Sequence, residues 1–95
     1  MKFEWDELKA HSNFSKHQIR FEEAQTVFLD TRAIEFFDVE HSNYKLGEDR
    51  FIRIGISSKM RMLIVVFCEL EESCIRLISA RHAKASERRV YEERI

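Results

Sequence analysis

The chain has 95 residues, of which 44% are hydrophobic and 35% are charged, with a net charge of −1. These proportions indicate one small globular domain, residues 1–95, and exclude a disordered or fibrous chain. Two acids lie within the first six residues, and no apolar run approaches the roughly 18 residues that a membrane span needs. We therefore expect a cytoplasmic protein that makes no membrane contact.

The N-terminal third of the chain predicts one strand and two helices. Phe3–Trp5 alternates between apolar and polar residues as a short strand does. Asp6 is a suitable N-cap for a helix that ends near Lys16-His17, where basic residues complement the helix dipole. A second helix is predicted over Phe21–Leu29, because its apolar residues recur at i, i+3 and i+7.

Residues 33–56 predict two strands joined by a polar segment. Ala33–Phe37 has the pattern of a strand, and Asp38–Asp49 that of a polar loop. Phe51–Ile56 alternates strictly, so Arg53 projects from the side opposite the isoleucines. Gly55 either leaves room for a close approach to the backbone or marks a bulge.

The remaining residues predict two further strands and a final helix. Met62–Phe67 is apolar on both faces and is followed by a short turn and Cys74–Ala80, which indicates two adjacent antiparallel strands. The last helix begins at Ala83 or Ser86 and ends near Glu93. The predicted fold class is therefore α+β, with two N-terminal helices and a C-terminal helix packed on a largely antiparallel sheet of four or five strands.

The charges are unevenly distributed along the chain. Residues 35–49 contain five acids and one lysine, whereas residues 50–61 contain four cations and no acid. The last twenty residues hold six cations and three acids. A local basic surface on a nearly neutral protein suits a short RNA or an acidic protein partner better than a long duplex. Ordinary solvation of balanced charge is the simpler alternative.

Cysteine and histidine residues do not form a recognisable metal motif. Cys68 and Cys74 lie in or beside apolar segments, and we expect free thiols, although a hairpin register that placed them opposite each other would permit a disulfide. Neither cysteine has C-x-x-C spacing, and the four histidines are scattered at positions 11, 17, 41 and 82. The sequence therefore predicts neither a metal site nor another cofactor.

The end of the last predicted strand has the strongest features of a binding site. Ser79–Lys84 places several polar or basic side chains where an apolar strand gives way to a charged helix. Side chains at a strand end are held rigidly and project toward open space. This junction is therefore a candidate binding site for a phosphate or another anionic ligand, and pairing between Arg81 and Glu87 of the following helix is the simpler alternative.

Short motifs in a fixed order extend over nearly the whole chain. They are Phe3-Glu4-Trp5-Asp6, Lys9, Asn13, Lys16-His17, Phe21-Glu22-Glu23-Ala24, Phe28, His41-Ser42, Arg50, Ile54-Gly55, Ile78-Ser79-Ala80-Arg81, Ala83, Glu87-Arg88-Arg89 and Tyr91. Their order and spacing resemble the BrnT toxins, ribonucleases of bacterial type II toxin–antitoxin systems with a RelE-like fold. The chain departs from the usual pattern of that family at Gln18, where glycine is common, at Arg20, where a small capping residue is usual, and at His82, where a basic residue is usual.

The resemblance implies a metal-independent endoribonuclease in which a ribose 2′-hydroxyl attacks the adjacent phosphate. This reaction needs a base, cations that stabilise the developing charge, and an acid that protonates the departing 5′-oxygen. For this reaction Arg81 and Arg50 are the candidate phosphate ligands, and the chemistry of its imidazole makes His82 a candidate base or acid. Glu48 is a candidate partner base or an orienter of Arg50. The simpler interpretations are that His82 is a surface residue and that Glu48 and Arg50 form a loop salt bridge.

Further cations are candidate RNA contacts, or else solvated surface residues and helix ends. They are Lys9, Lys16, His17, Arg53, Arg61, Lys84 and Arg88. The resemblance also implies inhibition of translation, neutralisation by a cognate BrnA-like antitoxin of ribbon-helix-helix type, and contact with operator DNA only through that antitoxin. The alternative is a non-catalytic module that binds RNA or protein through the same basic surface.

Overall fold

A computed structural model describes residues 1–43, 48–71 and 73–94 of the chain. The helices and strands are β1 (Lys2–Glu4), α1 (Glu7–His17), α2 (Phe21–Ala24), β2 (Ile34–Asn43), β3 (Glu48–Ile56), β4 (Met62–Leu70), β5 (Cys74–His82) and α3 (Ala85–Glu93). A 3₁₀ helix, Gln25–Leu29, continues α2. None of the helices in these residues has the length and apolar character that crossing a membrane requires.

The five strands form one mixed sheet in the order β1-β5-β4-β3-β2. The pairs β2–β3, β3–β4 and β4–β5 are antiparallel, whereas β1 runs parallel to β5. The predicted α+β class and the largely antiparallel sheet are therefore confirmed. Because β1 lies beside β5, the N-terminal segment forms the edge of the sheet next to the last strand of the chain.

Two predicted boundaries differ from the structure. The polar loop predicted over Asp38–Asp49 is wrong at both ends, because β2 continues to Asn43 and β3 begins at Glu48, and residues 44–47 lie outside the described residues. An edge strand with polar residues on both faces lacks the alternation from which strands are predicted. The helix predicted over Phe21–Leu29 is α-helical only to Ala24 and continues as a 3₁₀ helix, in which the Thr26 hydroxyl donates to the Glu23 carbonyl at 2.6 Å.

The ends of α1 follow the expected capping chemistry. The Asp6 carboxylate accepts hydrogen bonds from the backbone N–H groups of Leu8 at 2.8 Å and Lys9 at 3.4 Å, which confirms the predicted N-cap. After α1, Gln18 has the left-handed backbone conformation with φ of 60°. This conformation favours glycine, and the Gln18 side chain compensates in part by donating to the Phe14 carbonyl at 3.2 Å.

The sheet has two faces with separate clusters of buried residues. One face, which we call the helical face, packs beneath α1, α2 and the 3₁₀ helix. The larger cluster there comprises Ile19, Phe21, Ala24, Val27, Leu63, Val65, Phe67, Ile75, Leu77 and Ala80. The opposite face, which we call the α3 face, is covered in part by α3. The smaller cluster there comprises Ile34, Ile54, Met62, Ile64 and Tyr91.

A β-bulge at Ile78 changes the alternation of side chains along β5. The residues on either side of Ile78 pair with consecutive residues of β4, Val66 and Phe67, so β5 has one extra residue at this point. Leu77 therefore lies on the helical face, whereas Arg81, opposite Ile64 in β4, lies on the α3 face. In a regular strand two residues four positions apart would share one face.

The two cysteines are free thiols, as predicted. Cys68 is buried and Cys74 is partly buried. Cys68 lies opposite Arg76, and Cys74 lies opposite Leu70. The register that a disulfide between them would need is therefore absent.

Candidate nucleic-acid cleft

A cleft of about 320 Å³ opens on the α3 face next to α3. Its floor is aliphatic and comes from β3, β4 and β5, whereas its rim carries two arginines, two acids and a serine. The lining residues are Asp38, Arg50, Ile52, Ile64, Val66, Ile78, Ser79, Arg81 and Glu87. We refer to it as the arginine cleft. It can hold a ligand that combines a flat apolar group with negative charge.

Arg81 is held at the rim by a two-pronged ion pair with Glu87. Its Nη1 and Nη2 donate to the Glu87 carboxylate at 2.8 and 2.7 Å. Glu87 lies in the first turn of α3 and also accepts the backbone N–H of Lys84 at 2.8 Å. The Arg81 hydrogen bonds lower the pKa of Glu87 to about 2 against the opposing effect of burial. The pair expected as the alternative for Arg81 is thus present, and it fixes the plane of the guanidinium within the cleft.

Arg50 is the second cation of the arginine cleft. It lies opposite Asp38 of β2 and opposite Cys68 of β4, and it is partly buried. Asp38 also lines the cleft. Glu48 begins β3 two residues before Arg50, and its side chain lies outside the described part of the structure. The structure therefore brings the two predicted phosphate ligands, Arg50 and Arg81, into one cleft.

His82 does not join them. Neighbouring residues of a strand point to opposite faces, and His82 lies opposite Leu63, whose side chain is buried on the helical face. The imidazole is exposed, and only the backbone carbonyl of His82 meets Arg81, whose Nη1 donates to it at 3.2 Å. The described residues also contain no group of three His, Cys, Asp or Glu side chains that could hold a metal ion.

Arg53 makes structural contacts on the helical face. Its Nε donates to the Val27 carbonyl at 3.2 Å and its Nη2 to the Asp30 carbonyl at 3.0 Å. Its Nη1 pairs with the Glu35 carboxylate at 2.6 Å, and the guanidinium lies 5.0 Å from the centre of the Phe28 ring. The side chain is only 15% exposed. The Arg53 guanidinium, a candidate RNA contact, is therefore already bound at the end of the 3₁₀ helix.

Arg61 is paired with a buried acid. Its Nε donates to Glu23 at 2.9 Å, and its Nη2 donates to the second oxygen of the same carboxylate. The Ser57 hydroxyl adds a further hydrogen bond to Glu23 at 2.6 Å. These contacts, the Arg61 hydrogen bond first, outweigh burial and lower the pKa of Glu23. Arg61 therefore compensates the charge of Glu23 between α2 and the β3–β4 turn.

Two candidate cations are carried by α3 and its cap. Lys84 is the N-cap residue of α3 and Arg88 lies in its first half, and both side chains are exposed. Glu87, between them, reaches the arginine cleft. The positions are compatible with contacts to a ligand that extends from the cleft, and their role as RNA contacts stays a prediction.

The other three candidate cations share a second hollow, of about 230 Å³, between α1 and β5. It is lined by Lys9, Ser12, Asn13, Lys16, His17, Ile78 and Ser79. We refer to it as the α1 groove. Lys9 and Lys16 are exposed, and His17 is partly buried. The spacing of these residues on one helix face brings them together, since positions i, i+7 and i+8 lie on the same side of an α-helix.

Two acids of the arginine cleft were not predicted as site residues. Glu87 was considered only as an ion-pair partner, although its position in the first turn of a helix that follows Arg81 was a usable signal. Asp38 was assigned to a loop. The antiparallel register that places it opposite Arg50 could have been inferred only if the length of β2 had been known.

The mixed five-stranded sheet and the arginine-rimmed cleft define a small α+β protein with a candidate phosphate-binding site. Residues 5–87 match the sequence profile of the ribonuclease toxin BrnT of type II toxin–antitoxin systems. The chain therefore belongs to the BrnT family of ribonuclease toxins from type II toxin–antitoxin systems.

A solved structure agrees with this assignment at the level of the fold. The 1.1 Å crystal structure of the Brucella abortus ribonuclease toxin BrnT is similar, with a TM-score of 0.67 and 24% sequence identity. The match covers 88% of this chain and 97% of that one. No curated protein matches the chain by sequence.

Proposed function

We propose that this toxin is a metal-independent endoribonuclease that cleaves RNA in the arginine cleft and thereby inhibits translation. The observation that carries the proposal is the presence of Arg50 and Arg81 at the rim of one cleft with an aliphatic floor. A nucleotide offers both groups that such a cleft accepts, because its base has an apolar face and its phosphate binds guanidinium groups.

Arg81 can bind a phosphate while Glu87 keeps it oriented. A guanidinium has five N–H donors, and three hydrogen bonds, two to Glu87 and one to the His82 carbonyl, involve Arg81. The remaining donors suffice for a phosphate oxygen. Arg81 and Arg50 then stabilise the charge that develops on the phosphate during attack by the 2′-hydroxyl. Glu87 is a positioning residue, since a carboxyl whose pKa is about 2 is a weak base.

Proton transfer needs a further group near Arg50. Glu48 precedes Arg50 by two residues in β3, and Asp38 lies opposite it in β2. We assign the removal of the 2′-hydroxyl proton to one of these two carboxylates, and the departing 5′-oxygen takes its proton from water. His82 has no role in this mechanism, because its side chain lies on the helical face of the sheet.

The experiment is a cleavage assay with antitoxin-free, folded protein and a defined single-stranded RNA in excess chelator. The wild type should cleave the RNA and leave a 2′,3′-cyclic phosphate, and a 2′-deoxy substitution at the cleavage site should abolish the reaction. Arg81→Ala and Arg50→Ala should each lower the rate at least about 100-fold. Arg32→Ala is the matched control, since Arg32 is an exposed arginine in the turn before β2.

The variants of the acids assign the base. Glu48→Gln or Asp38→Asn should lower the rate by about 100-fold or more if the altered residue is the base, and His82→Ala should retain activity. RNA that stays intact with folded wild-type protein, or cleavage that stops when the chelator is added, would contradict the proposal.

The partner of the toxin follows from its family rather than from its surface. Type II toxin–antitoxin systems pair a protein toxin with a protein antitoxin, and we propose a BrnA-like antitoxin of ribbon-helix-helix type that also links the toxin to operator DNA. Co-expression with the product of an adjacent reading frame should yield a stable complex that has lost ribonuclease activity and binds the operator. Unchanged cleavage by such a complex would contradict neutralisation by that partner.

A further inference from the structure

We infer that the α1 groove is the main electrostatic binding site for the RNA, and that a single strand passes from the arginine cleft into this groove across the bulge of β5. The inference rests on the proposed function, because it concerns the path of the substrate beyond the scissile phosphate. It separates the residues that hold the RNA from those that act on the phosphate.

The arginine cleft and the α1 groove differ in the balance of their charges. In the arginine cleft each cation is matched by an acid: Arg81 pairs with Glu87, and Arg50 lies opposite Asp38. The cleft therefore contributes little net attraction for a polyanion. The charged residues lining the α1 groove, in contrast, are the cations Lys9 and Lys16, joined by His17. Phosphates of a bound strand gain most of their binding free energy from such uncompensated lysines, through release of counterions.

The arginine cleft and the α1 groove are adjacent and share two lining residues. Ile78 and Ser79 line both the arginine cleft and the α1 groove. Ile78 is the bulge of β5 and Ser79 follows it, and β1 pairs with β5 only as far as Arg76. The two hollows therefore meet along the segment of β5 that follows its pairing with β1. A ligand lying across Ile78 and Ser79 contacts both.

The shape of the path selects single-stranded RNA. The floor of the arginine cleft consists of aliphatic side chains of the sheet, among them Ile52, Ile64 and Val66. A base can lie on such a floor only when it is neither stacked nor paired with another base, and a duplex prevents this. A strand whose base lies on this floor then directs its neighbouring phosphates over Ser79 toward Lys16 and Lys9.

The test measures binding and cleavage separately. A single-stranded oligonucleotide with a 2′-deoxy residue at the cleavage site serves as a non-cleavable probe, and its affinity is measured by fluorescence anisotropy over a range of salt concentrations. The double variant Lys9→Ala/Lys16→Ala removes two charges from exposed positions of α1. Lys2→Ala/Lys59→Ala removes two charges from exposed lysines outside both hollows and is the matched control.

The Lys9/Lys16 variant should bind the probe at least about 10-fold more weakly at low salt. Its plot of log K against log salt concentration should be shallower by about 1.4, which corresponds to about 0.7 for each lost phosphate contact on a single strand. At saturating protein, its single-turnover cleavage rate should fall by a smaller factor than its affinity, because the arginine cleft is unchanged. Thermal unfolding checks that the variants are folded.

Three results would overturn the inference. They are wild-type affinity of the Lys9/Lys16 variant, an equal loss of affinity in the Lys2/Lys59 control, and equal affinity for a duplex of the same sequence. If the wild type cleaves RNA but the Lys9/Lys16 variant binds normally, the inference fails and the proposed function stands. If the wild type does not cleave RNA but probe binding depends on Lys9 and Lys16, the proposed function fails and the groove remains a binding site.

Discussion

The side chain of Asn13 pairs with the backbone of Ala80 as a neighbouring strand would. The Ala80 N–H donates to Oδ1 at 2.9 Å, and Nδ2 donates to the Ala80 carbonyl at 2.9 Å. Nδ2 also donates to the Ile19 carbonyl at 3.0 Å. Because β1 pairs with β5 only as far as Arg76, the buried Asn13 extends the pairing at the edge of the sheet and fixes α1 against β5.

We therefore expect Asn13→Ala to lower the free energy of unfolding by about 2–4 kcal/mol, since it leaves buried backbone groups without partners. Urea denaturation measures this change. Ser12→Ala is the control at the adjacent, exposed position and should stay within about 0.5 kcal/mol of wild type. An equally small effect of Asn13→Ala would show that the amide does not hold α1 to the sheet.

The ion pair between Arg81 and Glu87 should make stability depend on pH in the acidic range. The pKa of Glu87 is lowered from 4.5 to about 2, so its contribution is fully present above pH 4.5 and is lost as the pH falls toward 2. After allowance for screening of this partly exposed pair, it amounts to about 1–2 kcal/mol. Glu87→Gln should therefore unfold at a lower temperature than wild type at pH 7.

The pKa values of Glu23 and Asp30 are also lowered, so these acids contribute to the pH dependence of stability as well. Because wild type and Glu87→Gln both retain them, the difference between the two proteins reports the contribution of Glu87 alone. The difference in melting temperature should shrink between pH 4.5 and 2.5. A difference that stays constant over this range would mean that Glu87→Gln acts through packing and not through the charge of Glu87.

Gly55 should not tolerate even alanine. A Cβ atom there would lie 2.8 Å from Val27 Cγ1 and 3.0 Å from Ala33 Cβ, since the 3₁₀ helix and the turn after it pack directly on the backbone of β3. We expect Gly55→Ala to cost about 1–3 kcal/mol of stability. Combination with Val27→Ala should cost less than the sum of the two single changes. Strict additivity in denaturation experiments would contradict this contact.

Arg53 should affect stability and not RNA binding. Arg53→Met removes the donors that satisfy the Val27 and Asp30 carbonyls and should cost about 1–3 kcal/mol. The salt dependence of RNA binding should equal that of wild type in protein that is still folded. A shallower salt dependence would show that Arg53 does contact RNA, as predicted from its charge.

Local patterns were sufficient to predict most elements of this fold. The Asp6 cap, the strict alternation that directs Arg53 away from the isoleucines, and the adjacent antiparallel strands β4 and β5 all follow from residues close in sequence. The room predicted at Gly55 is also used, by the 3₁₀ helix. These features are decided by the geometry of single elements, so short stretches of sequence suffice to specify them.

Which side chains line the arginine cleft depends on the β-bulge at Ile78, which no local sequence pattern predicts. Without the bulge at Ile78, regular alternation would place Arg81 with Leu77 on the helical face and would turn His82 toward the cleft. The bulge reverses this arrangement, because Leu77 and Ala80 both have to be buried against the helices. The choice is made by packing between distant segments, so the sequence alone could not show that Arg81 lines the cleft and that His82 does not.

The order in which this sheet is assembled follows from the pairing of its first strand with its last. β1 and α1 leave the ribosome first, yet their partners are residues 74–76 and Ala80 of β5. Such distant contacts form only after the intervening chain has been synthesised. Arg81, at the end of the same strand, arrives still later. We therefore expect the sheet, and with it the arginine cleft, to be completed only when nearly the whole chain has been synthesised.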